Sequence, residues 1–407
     1  MNNLTQQYTQ SDSRILTVNG GSSSIKFSIF EARKTLDRTW SGKIDRIGLS
    51  ETTFEFHDLL KNKRSRQIID AVDFRAATDF LIQWLDDQIR LSSIDAVGHR
   101  VVHGMQHTAP ERVTPELLDD LRNISPCDPQ HLPVEIALIE AFQTLNPEAT
   151  QVACFDTLFH VAMPRVAKIL AIPRRYLNEG VHRYGFHGLS FAFQMQEIAR
   201  LGDVAATKGR VILAHLGNGS SLAAVRDGIS IDTSMGFTPT AGMPMGTRSG
   251  DLDPGLIGYF ARTEQMTTEQ FDQMVNHESG LLGVSELSSD VRDLLALEAD
   301  DVRAADAIAL FCYQTKKWIG TFAAALGGLD TLVFAGGIGE NSPAIRARIC
   351  DGLQFLGIEI DEYRNTANKS LISTDDSSVT VRVVRTDEEI MIARLVRDIT
   401  GKEKHAH

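Results

Sequence analysis

The sequence predicts a mixed α/β protein built from two related halves. Three observations carry that expectation. Between residues 14 and 155, short apolar runs alternate with stretches of helical periodicity. A strand–turn–strand segment with a glycine- and serine-rich turn occurs twice, with Ser22 and Ser220 198 residues apart. The chain has 407 residues, room for two domains, and its 43% hydrophobic and 23% charged residues can fill two ordinary globular cores.

The elements follow in order. Residues 1–13 read as a loose tail. Residues 14–30, RILTVNGGSSSIKFSIF, read as strand, turn and strand. In residues 74–91, Ala77, Phe80, Leu81, Trp84 and Leu85 form a helical stripe. Residues 94–103 return to strand. Helices are expected at 115–121 and 133–145, each with a proline near its start, and a short buried strand at 151–155. The second hairpin, RVILAHLGNGSSLAAVRDGISI, begins at Arg210. Its spacing from the first is too long for a solenoid and suggests duplicated halves whose turns serve one cleft. Two unrelated glycine/serine hairpins are the alternative. Helices at 303–326 and 344–356 flank a strand at 331–334, and a strand at 379–385 precedes a last helix at 387–399. The apolar stretch 319–339 carries Asp330 and several glycines, so it reads as helix end, turn and strand rather than a membrane span. No proline-rich linker or low-complexity run separates the halves, which points to a hinge.

Composition narrows the function. Lys+Arg 41 against Asp+Glu 53 gives a net charge of −12. That balance argues against nucleic acid as a partner, and an anionic substrate would need positive charge gathered locally. Cys127, Cys154, Cys312 and Cys350 lie far apart with no C-x-x-C, so neither a disulfide framework nor a zinc pattern is expected and a reducing cytoplasm suits them. The opening MNNLTQQYTQSDSR lacks the apolar core of a signal peptide.

Three glycine-rich turns could hold phosphate. Asn19 to Ser24 is followed by Lys26, a point charge for an anion, although the turn does not match the Walker pattern. His215-Leu216-Gly217-Asn218-Gly219-Ser220-Ser221 is the second. The third, Gly336-Gly337-Ile338-Gly339-Glu340-Asn341, follows an apolar strand and opens a helical pattern, where a nucleotide can sit at a helix N-terminus. A dinucleotide fingerprint is the weaker reading of it, because the final glycine is missing.

His99, His103 and His107 would make a metal face on a helix, but Val101-Val102 and Gly104 favour a strand. On a strand Arg100 and Val102 share one face, a cation beside an apolar wall suited to a small carboxylate with a hydrophobic tail. A solvated arginine is the plainer alternative. Asp156 falls at the C-terminal end of a buried strand, where ligand crevices form in α/β folds. His187 sits among aromatic and glycine residues, where a lone histidine is more often a satisfied structural residue than a catalytic one. Residues 235–255, MGFTPTAGMPMGTRSGDLDPG, form a long aperiodic loop with Arg248 as its one cation.

Taken together, VNGGSSSIKF, GHRVVHG, FDTLFH, RYGFHGLS, HLGNGSS, MGTRSGDLDPG, AGGIGENS and TDEEIMIAR, in that order, resemble the acetate/propionate kinase family from about Arg14 to Arg397. The resemblance implies a duplicated ribonuclease H-like, actin-like ATPase fold with two related domains around a cleft. It implies an N-terminal domain of residues 1–155 with the returning C-terminal helix 386–407, and a second domain, 156–385, carrying most of the nucleotide site. It also implies reversible phosphorylation of acetate by ATP, giving acetyl phosphate and ADP by in-line transfer, with Mg²⁺ or, as a substitute, Mn²⁺. Propionate or another short carboxylate is the alternative acceptor. A cytoplasmic homodimer, with neither nucleic acid nor membrane as partner, is implied as well. By position, Asn19 and Glu388 match the metal site and Lys26 a nucleotide-phosphate contact. Arg100 matches the carboxylate-binding arginine, and Val102, Phe186 and Pro239 match acyl-pocket walls. Asp156 matches the active-site acid, His187 and Arg248 the transition-state stabilisers, and His131 a further active-site histidine. His215, Leu216, Gly217, Asn218 and Gly219, then Asp290, Val291 and Arg292, then Gly337, Ile338, Gly339, Glu340 and Asn341 match the nucleotide segments.

A carboxylate nucleophile is ionised at neutral pH. Such a site therefore needs no strong base, only positioning and charge to neutralise a metaphosphate-like transition state. Asp156 is accordingly expected to orient a metal or its waters rather than move protons. Four residues depart from the family pattern: Gln130 stands for an apolar pocket residue, Phe191 for a second histidine, Asp387 for an asparagine and Met105 for a glycine.

Overall fold

The computed structural model describes residues 13–21, 23–48, 51–202 and 204–403. The tail 1–12 and Ser22 lie outside the described residues. The chain divides into two compact units, Met1–Phe155 with Glu388–His407, and Asp156–Asp387.

The first unit is built on one sheet of β1 (Ser13–Gly20), β2 (Ser24–Ala32), β3 (Leu36–Asp45), β4 (Thr53–Asp58), β5 (Lys63–Ile68), β6 (Ala96–Val101), β7 (Glu111–Arg112) and β8 (Thr150–Phe155). The spatial order is β5-β4-β3-β2-β1-β6-β8-β7. β1 to β5 form an antiparallel meander, while β1, β6 and β8 run parallel. Alternation along β2 sends Ile25, Phe27 and Ile29 into a core shared with Leu81 and Leu85 of the helix Phe74–Ile89. Each such side chain contributes about 1.5–3 kcal/mol through its burial. The last helix, Glu388–Glu403, packs tightly against β6: a Cβ at Gly98 would sit 2.4 Å from Ile392 and 2.6 Å from Val396.

The second unit holds a sheet of β9 (Arg210–Leu216), β10 (Ser220–Arg226), β11 (Ile229–Thr233), β12 (Thr331–Ala335) and β13 (Thr380–Val383), in the order β11-β10-β9-β12-β13. β9, β10 and β11 are antiparallel neighbours, and β9, β12 and β13 run parallel. The helix Val302–Leu326 buries Ile308, Phe311, Ile319 and Phe322 against this sheet's core.

The strand sets β3-β2-β1-β6-β8 and β11-β10-β9-β12-β13 therefore share order and direction. Each begins with one of the two hairpins that repeat in the sequence. This is the duplicated ribonuclease H-like arrangement. The helix expected over 344–356 instead stops at Cys350, and Gln354–Leu356 is a separate turn of 3₁₀ helix. Asp351 leaves the helical region at ψ 129° and Gly352 follows in the left-handed region at φ +75°, a turn that cannot continue a right-handed helix. Among the described residues no helix is long and apolar enough to cross a membrane.

Candidate active site

In the first unit, β1 delivers Asn19 to the start of the last helix. Asn19 is buried and its Nδ2 donates to Oε2 of Glu388 at 2.9 Å. The two residues expected to hold a metal are thus neighbours. One amide oxygen and one carboxylate are hard donors that fit Mg²⁺, which keeps most of its waters and takes few protein ligands. Lys26 is exposed on β2 and lies opposite Lys43 in the ladder. Like charges so placed repel, and Lys43 is offset by Asp45 at 2.6 Å.

Arg100, near the end of β6, donates from Nη1 to the carbonyl of Gly20 at 3.3 Å. Val102 lies just past the strand, buried, and its N–H donates to Oε2 of Glu135 at 3.0 Å. The three histidines of this region go to three different partners. His99 Nε2 meets Gln151 Oε1 at 2.6 Å, and burial pushes its imidazole down to about 4. His103 Nδ1 accepts the Met105 N–H at 3.1 Å, and His107 faces Glu111 at 2.9 Å. Among the described residues no group of three or more His, Cys, Asp or Glu could hold a metal ion. Met105, which stands for a family glycine, has φ +45°. His131 is the N-cap of the helix Leu132–Leu145, with Nδ1 2.8 Å from Oδ1 of Asp128. Gln130 beside it is half-buried.

In the second unit, Asp156 is fully buried and organises the start of the helix Gly188–Arg200. Its Oδ2 accepts the N–H of His187 at 3.0 Å, its Oδ1 that of Leu189 at 3.3 Å, and its carbonyl that of Gly188 at 2.8 Å. The carboxylate thereby serves as the anion at a helix N-terminus. A Cβ at Gly188 would sit 2.2 Å from the Asp156 carbonyl, so only glycine fits there. His187 is held at φ +58°, a strained left-handed conformation of the kind retained at functional sites. Its Nδ1 lies 2.8 Å from the Ser221 hydroxyl, and its ring stacks on His215 with centroids 4.3 Å apart. Phe191 is core: it is fully buried, with its ring 6.5 Å from that of His187.

The β9–β10 turn is tied internally, with the Gly217 N–H donating to the Gly219 carbonyl at 3.1 Å and the Ser220 hydroxyl to the Gly217 carbonyl at 3.0 Å. Gly219 brings two expected site residues close: a Cβ there would sit 3.3 Å from Nε2 of His187 and 3.9 Å from Nη1 of Arg248. Arg248 Nη1 also donates to the Pro239 carbonyl at 3.2 Å. Asn218 accepts from the Gly246 N–H at 2.9 Å, and His215 Nδ1 lies 2.8 Å from the Ser190 hydroxyl. The third turn opens the helix Gly336–Asn341 after β12. Gly336, at φ +78°, lets that turn close on β9, because a Cβ would sit 2.6 Å from the Leu216 carbonyl. Glu340 Oε1 accepts the N–H groups of Gly336 and Thr386 at 3.1 and 3.0 Å. Asp290 caps the helix Val291–Leu297 and pairs with exposed Arg292, whose guanidinium holds the Asp290 carboxyl below its ordinary range. Phe186 is buried, and its carbonyl lies 3.1 Å from Nε2 of His160.

Ser221 of the second glycine turn meets His187, while Glu135 and Asp128 contact expected site residues without being singled out by the sequence. Only Asp128 left a signal there, an acid three residues before His131.

The architecture is that of a kinase. The acetokinase family model matches residues 14–394. An acetate kinase of Methylocella silvestris is 42% identical over 394 residues, spanning 93% of this chain and 96% of that protein. A propionate kinase of Citrobacter rodentium is 42% identical over 396 residues, spanning 96% and 98%. The crystal structure of Porphyromonas gingivalis acetate kinase superposes with a TM-score of 0.84 at 36% identity, covering 95% of this chain and all of that one. The chain belongs to the acetokinase family.

Proposed function

We propose that this protein transfers the γ-phosphoryl group of ATP to acetate, reversibly, giving acetyl phosphate and ADP. The observation that supports this most is the grouping in the second unit of His187, Arg248 and the Gly217–Gly219 turn about Gly219. A loose phosphoryl transition state needs that combination of backbone donors and cationic or hydrogen-bonding side chains.

In this reading the first unit is the N-terminal actin-like domain with its returning C-terminal helix. Arg100 binds the acetate carboxylate, and Val102, Phe186 and Pro239 are the acyl-pocket residues by their match to the family. Asn19 and Glu388 would hold Mg²⁺, which would supply positive charge for phosphate oxygens. Lys26 is a further phosphate contact. The second unit is the second actin-like domain, and segments 215–219, 290–292 and 337–341 bind the nucleotide. Asp156 acts through His187, whose backbone it fixes. The protein works as a cytoplasmic homodimer. The four cysteines are free thiols, three of them buried, which suits a reducing compartment.

Gln130 and the propionate kinase relatives favour a second reading, in which propionate is the better acceptor. A hydroxylamine trap of the acyl phosphate, run with ATP and acetate, propionate or butyrate, decides between them by kcat/KM. Gln130→Leu is expected to shift that ratio. Failure to form any acyl phosphate would remove the proposal.

A further inference from the structure

The helix Leu132–Leu145 begins in an unusual way. Its N-cap is His131, yet that side chain makes no capping hydrogen bond. An N-cap side chain ordinarily accepts from first-turn N–H groups. Pro133 has no N–H to offer, which lowers that demand. The imidazole turns instead to Asp128, with Nδ1 2.8 Å from Oδ1. A carboxylate accepts, so Nδ1 donates, and Nε2 is the nitrogen left over. Nε2 makes no hydrogen bond among the described residues.

The pair is built rather than incidental. Asp128 is 4% exposed and His131 7%. The Asp128 N–H donates to the Ser125 carbonyl at 3.1 Å, and the Asp128 carbonyl accepts the Leu132 N–H at 3.2 Å. The His131 carbonyl accepts from Glu135 N–H at 3.0 Å, so both partners are pinned by backbone. Asp128 Oδ2 is buried with no partner. A carboxylate serving only the stability of the loop would be a costly choice there, because burial strips water from an oxygen that nothing replaces.

We propose that Asp128 is a positioning residue for His131, holding Nδ1–H so that one ring orientation presents Nε2 to the substrate. The proposal rests on the reading of His131 as an active-site residue. Carboxylates that orient a working imidazole through its other nitrogen act in the same way in metal sites and hydrolase triads.

The test uses the full chain labelled with ¹⁵N-histidine, with long-range ¹H–¹⁵N spectra and His131→Gln to assign the signal. The expected result is a proton on Nδ1 of His131 in the wild type and in Asp128→Asn, whose amide oxygen still accepts, but not fixed there in Asp128→Ala. Acetyl phosphate formation should show kcat lowered roughly 10–100-fold in Asp128→Ala, with KM for acetate little changed, and largely restored in Asp128→Asn. A wild-type ring protonated on Nε2 alone overturns the proposal, even where Asp128→Ala does not fold. So does an Asp128→Ala enzyme with kcat within twofold of wild type, or an inactive Asp128→Asn with the Nδ1 proton in place. A wild type that forms no acyl phosphate removes the proposed function instead, while the spectra still decide the pairing.

Discussion

Replacing Asp156 by alanine tests how the site in the second unit is held together. The carboxylate accepts two backbone N–H groups, from His187 and Leu189, in a fully buried position. Each N–H left without an acceptor costs about 1–3 kcal/mol. Losing the anion at the helix N-terminus adds about 0.3–1 kcal/mol. The expected destabilisation is therefore about 2–7 kcal/mol, read by urea denaturation. The His187 backbone is held in the left-handed region by the same contacts, so its release should displace the ring. Loss of about 2.7 kcal/mol of transition-state stabilisation corresponds to roughly 10²-fold in kcat. Asp156→Asn separates positioning from proton transfer. It retains one acceptor oxygen but turns an NH₂ toward the second N–H, so kcat should fall at all pH values without losing a limb of its pH profile. Asp156→Ala with stability within 0.5 kcal/mol of wild type and kcat within threefold would refute the reasoning. So would an Asp156→Asn profile that lost one limb alone, because that marks a proton donor or acceptor.

Three further outcomes are expected. Arg248→Ala, in a folded protein, should lower kcat by roughly 10³ or more, the scale of an arginine that neutralises phosphoryl charge; a loss below tenfold removes it from that role. Met105→Gly should stabilise the protein by about 0.5–1 kcal/mol, since the left-handed conformation at φ +45° costs a side chain about 1–2 kcal/mol and glycine gives back about 0.5–1 in chain entropy; an unchanged or lower urea midpoint contradicts this. His99 in the first unit and His160 in the second are both buried, and burial pushes each down to about 4 from an ordinary 6.5. Because the unfolded chain takes up these protons first, the stability is full above pH 6.5 and is lost as pH falls toward 4, about 2 kcal/mol per histidine at pH 5. His99→Gln should flatten that pH dependence in urea titrations, and a wild-type slope in the variant speaks against it.

The parts of this molecule that were legible in the sequence are those with strong local signals. The two hairpins carried glycine turns between apolar strands, and the duplicated sheet order follows from them. The helix Val302–Leu326 announced itself by periodicity. The meander β3 to β5 did not, because β5, KRSRQI, is a polar edge strand whose charges discourage pairing with other chains rather than mark a core. The stop at Cys350 was hidden because Asp351 and Gly352 act through their backbone angles, which composition does not display. Arg100 and Val102 were paired by strand alternation, but Glu135, which takes the Val102 N–H, lies 33 residues away on a helix, and no periodicity links the two. The strand end points Asp156 toward a ligand crevice, but its hydrogen bonds to the His187–Leu189 backbone come from a fold contact 31 residues away, which no local pattern displays.

The most direct measurement is ³¹P NMR of the purified protein with MgATP and ¹³C-carboxyl acetate. The account predicts a growing acyl phosphate resonance coupled to ¹³C, matched one for one by ADP, and nearly abolished in Arg248→Ala. ATP hydrolysis to inorganic phosphate without that resonance, or equal turnover when acetate is left out, would contradict it.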